Sequence, residues 1–322
     1  MKKILLLLAA VGMIFTACES SIELNDGNNE NSGETIPNNE IWYTSSDGNI
    51  VTPYATDVFG ANIVSDTYNN GRGVIIFDAP VTSIGADAFA CCTSLTSVTI
   101  PDSVTEIGYE AFADCSSLTS ITIPDSVTSI GAWAFLRCSS LTSVTIPNSV
   151  TSIEEAAFVG CRSLTAFNGK FASADNRCLI VGSMLAAFAP AGLTEYTIPD
   201  SITSIGMRAF YYCSSLTSVT IPNSVTSIEE AAFVGCRSLT SITIPESVTE
   251  IGRLAFSGCT SLKEVYCKPK TPPMEAWVDF GWDAFSSNAS GRKIYVPRAS
   301  VEAYKQAAYW KDYANDIVGY DF

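Results

Sequence analysis

The chain of 322 residues contains no histidine. That absence removes Ser-His-Asp and Cys-His nucleophilic chemistry, histidine zinc ligation and imidazole pH switching. Basic residues are scarce too: 18 Lys and Arg stand against 33 Asp and Glu, a net charge of −15. Nucleic acid and anionic membrane surfaces both call for a basic patch, so neither is an expected partner. No apolar run reaches the roughly 18 residues that span a bilayer. The most apolar stretch, Ile4 to Phe15, has 12.

That stretch follows Lys2 and Lys3 and closes with Phe15-Thr16-Ala17-Cys18, small residues and then a cysteine. The arrangement resembles the lipobox of bacterial lipoproteins, although Phe15 stands where the pattern prefers an aliphatic residue. The resemblance implies a signal peptide over 1–17 and a lipidated Cys18 as the first mature residue. The chain would then touch membrane through its lipid alone, at the bacterial outer membrane and on the cell surface. From Glu19 to Ile50 there are seven acids and no Lys or Arg, among Asn, Gly and Ser. Such a segment buries too little apolar surface to offset its ordering entropy, so 18–40 is expected to be an acidic flexible tether.

What the chain has in abundance is one sentence, repeated. Cys92, Cys115, Cys138 and Cys161 step by 23 residues, as do Cys213, Cys236 and Cys259. Phe89, Phe112, Phe135 and Phe158 keep the same step, and so do Ile84, Ile107, Ile130 and Ile153. From Leu95 a unit runs Leu-x-x-Val-x-Ile-Pro-x-Ser-Val-x-x-Ile-Gly-x-x-Ala-Phe-x-x-Cys-x-Ser. A period of 23 lies in the leucine-rich-repeat range. Leu95, Val98 and Ile100 point inward from a short strand that Pro101 ends. Val104 and Ile107 return on the far side, Gly108 permits a bend, and Ala111-Phe112 starts a helical or 3₁₀ turn that plugs the interior. One coil has no core of its own, and stacking creates it. The expected fold is therefore β-rich α/β: a right-handed solenoid of about ten coils with a parallel sheet on one face.

The array should occupy 85–267, with an N-terminal cap and first degenerate coil over 41–84. A degenerate coil and a capping helix complete it over 268–322, the helix opening at Ser300 with Val301, Tyr304 and Ala308 on one face. The interval from Leu164 to Leu193 is 29 rather than 23. Two apolar runs there flank Gly182-Ser183, which suits a two-residue hairpin turn, so 166–192 is expected to be a modified coil with a protruding hairpin. Cys138–Thr165 and Cys213–Thr240 are identical over 28 residues. Shared physical constraint would not fix solvent-facing choices twice, and a recent duplication explains them.

The words quoted from Leu95 onward resemble the BspA-like, or Treponema pallidum-type, leucine-rich-repeat surface proteins of bacteria, over roughly 73–266. That resemblance implies a cell-surface adhesin of host or bacterial partners. It names no ligand.

Seven cysteines share one slot, so their side chains should run parallel about 4.8 Å apart, an arrangement that suits a thiol ladder better than disulfides. Cys91 stands in the exposed slot of Asp114, Arg137 and Tyr212, and the pairing of Cys91, Cys178 and Cys267 is left open. Asp102 and Asp125 share a turn slot and could approach glycosidase spacing, as could Glu154-Glu155 and Glu229-Glu230, but the slot fits turn formation better than chemistry. No catalytic residue, metal or cofactor is expected. Recognition has two candidate faces. One is the hydroxyl ladder Thr96, Thr99, Thr119, Thr122, Thr142 and Thr145, nearly uniform from coil to coil. The other is the turn edge, where Tyr109, Trp133, Arg137, Arg208, Tyr211 and Tyr212 vary and belong to the residue types that dominate interfaces. The expected function is a monomeric, surface-displayed lipoprotein that binds an extracellular protein or glycan. A spacer without a ligand is the alternative, and a polysaccharide-active solenoid enzyme comes third.

Overall fold

The computed structural model describes residues 35–274 and 284–322. The signal peptide, Cys18 and all but the end of the tether lie outside the described residues. From Ile36 onward the chain forms one compact unit, a solenoid in which coils are joined along three lines.

The first line is the Leu-x-x-Val-x-Ile strand. Leu95–Thr99 pairs in parallel with Ser120–Thr122, and Ser143–Ile146 with Ala166–Gly169, in a register that sets each residue opposite its counterpart 23 positions on. The second is a two-residue Ser-Ile or Glu-Ile strand on the other side of the coil. Ser83–Ile84, Glu106–Ile107, Ser129–Ile130 and Ser152–Ile153 form one such parallel ladder. β-Branched Ile at every step suits the fully buried positions it fills.

The third line was not expected. Each Ala-Phe turn closes through i+3 bonds, such as Cys115 N–H to the Phe112 carbonyl at 3.2 Å, and also bonds to the next coil. Phe89, Phe112 and Phe135 donate to the carbonyls of Ala111, Ala134 and Ala157 at 2.7, 2.8 and 2.8 Å. Two flanking residues per turn are left-handed, for example Glu110 and Asp114 (φ +50° and +57°), then Trp133 and Arg137 (φ +60° and +54°). Such conformations cost a non-glycine residue roughly 1–3 kcal/mol. Three bonds per coil interface hold them, and Gly160, Gly235 and Gly258 relieve the second position in three coils. Gly108 serves another purpose than the expected bend: a Cβ there would lie 2.8 Å from the backbone of the preceding coil.

Inside, the phenylalanines stack. Phe89, Phe112, Phe135 and Phe158 follow one another at centroid distances of 5.4, 5.4 and 5.1 Å, with planes within 7° of parallel. Beside them runs the thiol ladder. Every cysteine from Cys91 to Cys267 is free, and Cys91 alone among these is exposed. The ladder has a role beyond filling space. Cys115, Cys138, Cys161, Cys236 and Cys259 each donate from Sγ to the Phe carbonyl of the preceding coil, at 3.0–3.2 Å. A small apolar side chain that also satisfies a buried carbonyl is what this slot demands. Burial pushes the Cys161 thiol up to about 12, so the ladder stays protonated. Cys178 and Cys267 are thiols as well, paired with the hydroxyls of Tyr196 and Tyr304.

The two ends differ from expectation. The strand Arg72–Phe77 does not lie beside Leu95–Thr99. Glu40–Ser45 is inserted between them, antiparallel to both, and Ile63–Asn69 adds an outer antiparallel strand. The cap is thus an antiparallel sheet, with Ile41 and Tyr43 filling the open end of the core. At the other end Lys293–Pro297 continues the parallel sheet, as its pattern indicates. The helix covers Val301–Gln306 and buries Tyr304, but Ser300 makes no side-chain capping bond. Ala308 is exposed beyond the helix, and Trp310 fills the place expected of it. A last strand, Ile317–Tyr320, closes the sheet after the helix.

The modified coil is the other departure. Cys178–Val181 and Met184–Phe188 do form a hairpin about Gly182-Ser183, but it does not protrude. Met184 and Leu185 pair in parallel with Ser204 and Ile205, and Leu185 and Phe188 are buried. The hairpin is built into the wall because its apolar face replaces the missing Ser-Ile strand. The replacement is incomplete. Among the described strands, Ala166–Gly169 pairs with the coil before it, and Glu195–Thr197 with the coil after it, and neither bonds to the other. The core divides at the same place, into one cluster that ends around Phe167 and another that takes in Phe188 and Phe210.

Candidate functional site

The threonine face is exposed apart from Thr96, and its two rows behave differently. Thr119 and Thr142 spend their hydroxyls on the carbonyls of Thr96 and Thr119 one coil earlier, at 3.0 and 3.3 Å. Thr96 meets Thr44 of the cap at 2.6 Å. These three hydroxyls serve the ladder. Thr99, Thr122 and Thr145 are exposed and make no side-chain hydrogen bond among the described residues. Identical on successive coils, they form a uniform surface with little to tell one ligand from another.

The turn edge is not uniform, and at the interruption its varied residues meet. Arg208, from the coil after the hairpin, lays its guanidinium 4.6 Å from the ring centre of Trp133, two repeats earlier. Arg162, from the coil before the hairpin, lies 5.2 Å from the ring of Tyr212 on the coil after it. Arg237 approaches the same ring at 5.5 Å, and Tyr211 packs edge-on against Tyr212 at 4.5 Å. Two cation–π pairs thus cross the interruption in opposite directions, each worth about 0.5–1 kcal/mol at an exposed site. Trp133, Arg208 and Tyr212 are half-buried in this packing, and all three are left-handed.

Two of the expected residues lie apart from this cluster. Arg137 pairs with Asp114 at 3.6 Å in exposed surroundings, and Tyr109 is an isolated exposed ring at 49% accessibility. Two residues absent from the expected set belong to it: Arg162 and Arg237, the same position of the duplicated segment. Their signal was in the sequence, since both stand where most coils carry Ser or Thr.

A string of clefts marks the interruption. One of about 450 Å³ lies among Glu154, Glu155, Glu229, Met184 and Met207. One of about 390 Å³ lies among Arg162, Tyr212, Pro190 and Leu193. Between them the floor is Ala187 and Phe188, and the space narrows to about 10 Å³, room for one water. The edge is acidic at one end and basic at the other. Two glutamates are engaged: Glu154 accepts from the Ala132 N–H at 3.0 Å, and Glu229 from the Ser204 hydroxyl and the Met207 N–H at 2.8 and 3.0 Å. They brace the turn, and Asp102 and Asp125 remain exposed turn residues. Among the described residues no group of Cys, Asp and Glu could hold a metal ion.

Comparison with known proteins follows the same lines. The family described as "BspA type Leucine rich repeat region" matches six copies over 64–177 and 185–314. The unmatched interval, 178–184, is the first strand and turn of the hairpin. A crystallised leucine-rich repeat protein of Eubacterium ventriosum is 27% identical over 69% of this chain and 66% of its own, with a TM-score of 0.53. This chain therefore spans just under two thirds of that relative. The pneumococcal vaccine antigen PcpA is 18% identical over 75% and 72% of the two chains, with a TM-score of 0.51. The leucine-rich repeat protein of T. pallidum is 30% identical over 57% and 73%, with a TM-score of 0.35. No curated protein matches.

Proposed function

Because the chain belongs to the BspA-type leucine-rich-repeat family, we propose that it is a recognition module that binds a protein or glycan outside the cell. The observation that carries this reading is the aromatic and arginine cluster at the interruption, where Trp133, Arg208, Arg162 and Tyr212 meet across two coils. Elsewhere the repeat writes the same residues on each coil, and a uniform surface has no means of selecting one partner. Here four interface-type side chains form a unique surface, with apolar area from the rings and charge from the guanidinium groups. The lipobox-like sequence ending at Cys18 supports display of the module at the bacterial outer membrane as an anchored adhesin. It acts by binding and carries out no chemistry of its own.

The test sets the two faces against each other. Immobilised matrix proteins, plasma proteins and bacterial polysaccharides are screened with the full chain, then with two fourfold alanine variants. Replacing Trp133, Arg208, Tyr211 and Tyr212 should weaken binding at least tenfold while leaving the melting temperature within a few degrees. Replacing Thr119, Thr122, Thr142 and Thr145 should change affinity less than twofold. The opposite order would move recognition to the threonine face. Binding to none of the panel would favour the spacer. Cys18→Ala should release the chain from the membrane fraction, and retention there would remove the anchor.

A further inference from the structure

Each Ala-Phe turn normally holds the next coil by three backbone bonds. In the coil after the interruption, Arg208, Phe210 and Tyr212 donate to Glu230, Ala232 and Val234 at 3.1, 2.8 and 2.7 Å. In the coil before it, the corresponding N–H groups of Ala156, Phe158 and Gly160 have no partner among the described residues. The carbonyls that face them across the interruption, on Met207, Ala209 and Tyr211, have none either. Ala156, Phe158 and Ala209 are only 5, 4 and 6% exposed. Unpaired backbone groups are rare in such buried surroundings, and six together form an arrangement rather than an accident of packing.

The arrangement has a polarity. Three donors line one lip and three acceptors line the other, the pattern a single intervening strand would satisfy on both sides. The hydrophobic place of that strand is already taken, because Phe188 stands 4.7 Å from Phe210 as the floor. What is missing is backbone. We propose that this slot receives an extended peptide of a partner protein as the absent rung, a form of β-strand addition inside a solenoid. The proposal deepens the recognition reading and rests on it.

Charge selects the guest. A peptide running parallel to the coils enters beside Glu154, Glu155 and Glu229 and leaves beside Arg162 and Arg208. It should therefore carry basic side chains at its start, acidic ones at its end and small residues over Phe188. The chain's own segment 19–34 has acids and no Lys or Arg, the wrong charge for the entrance. Entry parts the narrow middle and displaces the Arg208 and Arg162 contacts. Each stack has its own core, so the two can separate slightly without either unfolding.

The probe is a set of acetylated, amidated nonapeptides of the form Lys-Lys-(Ala/Ser/Thr)₅-Asp-Asp, added to the full chain at up to millimolar concentration. Amide exchange is followed by NMR. Binding should slow exchange at Ala156, Phe158 and Gly160 at least tenfold and leave the identical trio Ala231, Phe233 and Gly235 unchanged. N-methylation of alternate peptide amides, reversal of the charge order, and Glu155→Lys in the protein should each weaken binding at least tenfold. The rung is overturned if no peptide slows the three amides, or if N-methylated peptides bind as well as the parent. If a bound protein partner is lost on mutation of Trp133 and Tyr212 while exchange at 156, 158 and 160 never responds, recognition stands and the rung falls.

Discussion

Cys138–Thr165 and Cys213–Thr240 have the same 28 residues in the same order, yet they do not form the same structure. The left-handed positions agree, Ala156 with Ala231 and Gly160 with Gly235. The surroundings diverge. Phe233 lies between two parallel rings, Phe210 and Phe256, at 4.7 and 5.1 Å. Phe158 has one parallel neighbour, Phe135, and on its other side meets Phe167 edge-on at 76°. Phe233 donates to Ala255, and Phe158 donates to nothing among the described residues. Ile228 is 1% exposed, while Ile153 is partly open to a cleft. In a solenoid a coil's stability is a nearest-neighbour property. Identical sequence therefore buys identical conformation but not identical bonding.

The largest effect that should separate the two copies is loss of the plug. Phe233→Ala removes a ring stacked on both faces and should cost about 4–5 kcal/mol. Phe158→Ala opens onto an existing cleft and should cost roughly 1 kcal/mol less. Denaturant titration of each variant measures both. In single-tryptophan proteins keeping Trp133 or Trp310, Phe233→Ala should shift the Trp310 transition more than the Trp133 transition, because the cores are separate. Equal shifts would mean that the interruption does not divide the stack energetically.

A smaller effect distinguishes the first cysteine of each copy. Cys138 donates to the Phe112 carbonyl at 3.1 Å. Cys213 follows the hairpin coil, which offers no Ala-Phe turn, and makes no such bond among the described residues. Both are buried, and desolvation raises both thiols far above their ordinary range. Cys138→Ala leaves a carbonyl short of a donor and should cost about 1 kcal/mol more than Cys213→Ala. Equal costs would reduce the thiol to a space-filler.

Local pattern made much of this legible. The 23-residue step places every stacked phenylalanine and every ladder thiol, and Cys91 is exposed because its slot elsewhere holds Asp114 and Arg137. Gly182-Ser183 marks a hairpin that is there. What local pattern did not reveal was pairing between distant segments. Glu40–Ser45 has no periodic signature of a partner for Leu95–Thr99, since an edge strand may face either way. Whether Met184–Phe188 protrudes or fills the wall depends on the strand missing from its own coil. The turn-edge residues were chosen for type and variation, which singled out Trp133, Arg208, Tyr211 and Tyr212. It could not separate them from Tyr109, whose isolation becomes visible when the coils are stacked. The absent Ala-Phe-x-x-Cys word between Cys161 and Cys213 was the one sequence sign of the interruption, and its consequence is a set of backbone groups that no side-chain pattern records.

The account turns on those groups, and amide exchange by NMR addresses them directly in the unliganded chain. Ala156, Phe158 and Gly160 share sequence, dihedral angles and intrinsic exchange chemistry with Ala231, Phe233 and Gly235. If the bond to the next coil is what differs, the first trio should exchange at least tenfold faster than the second, while Phe112 and Phe135 match Phe233. Equal protection of the two trios would show that the interrupted coil is bonded after all, and would contradict the division of the solenoid into two stacks.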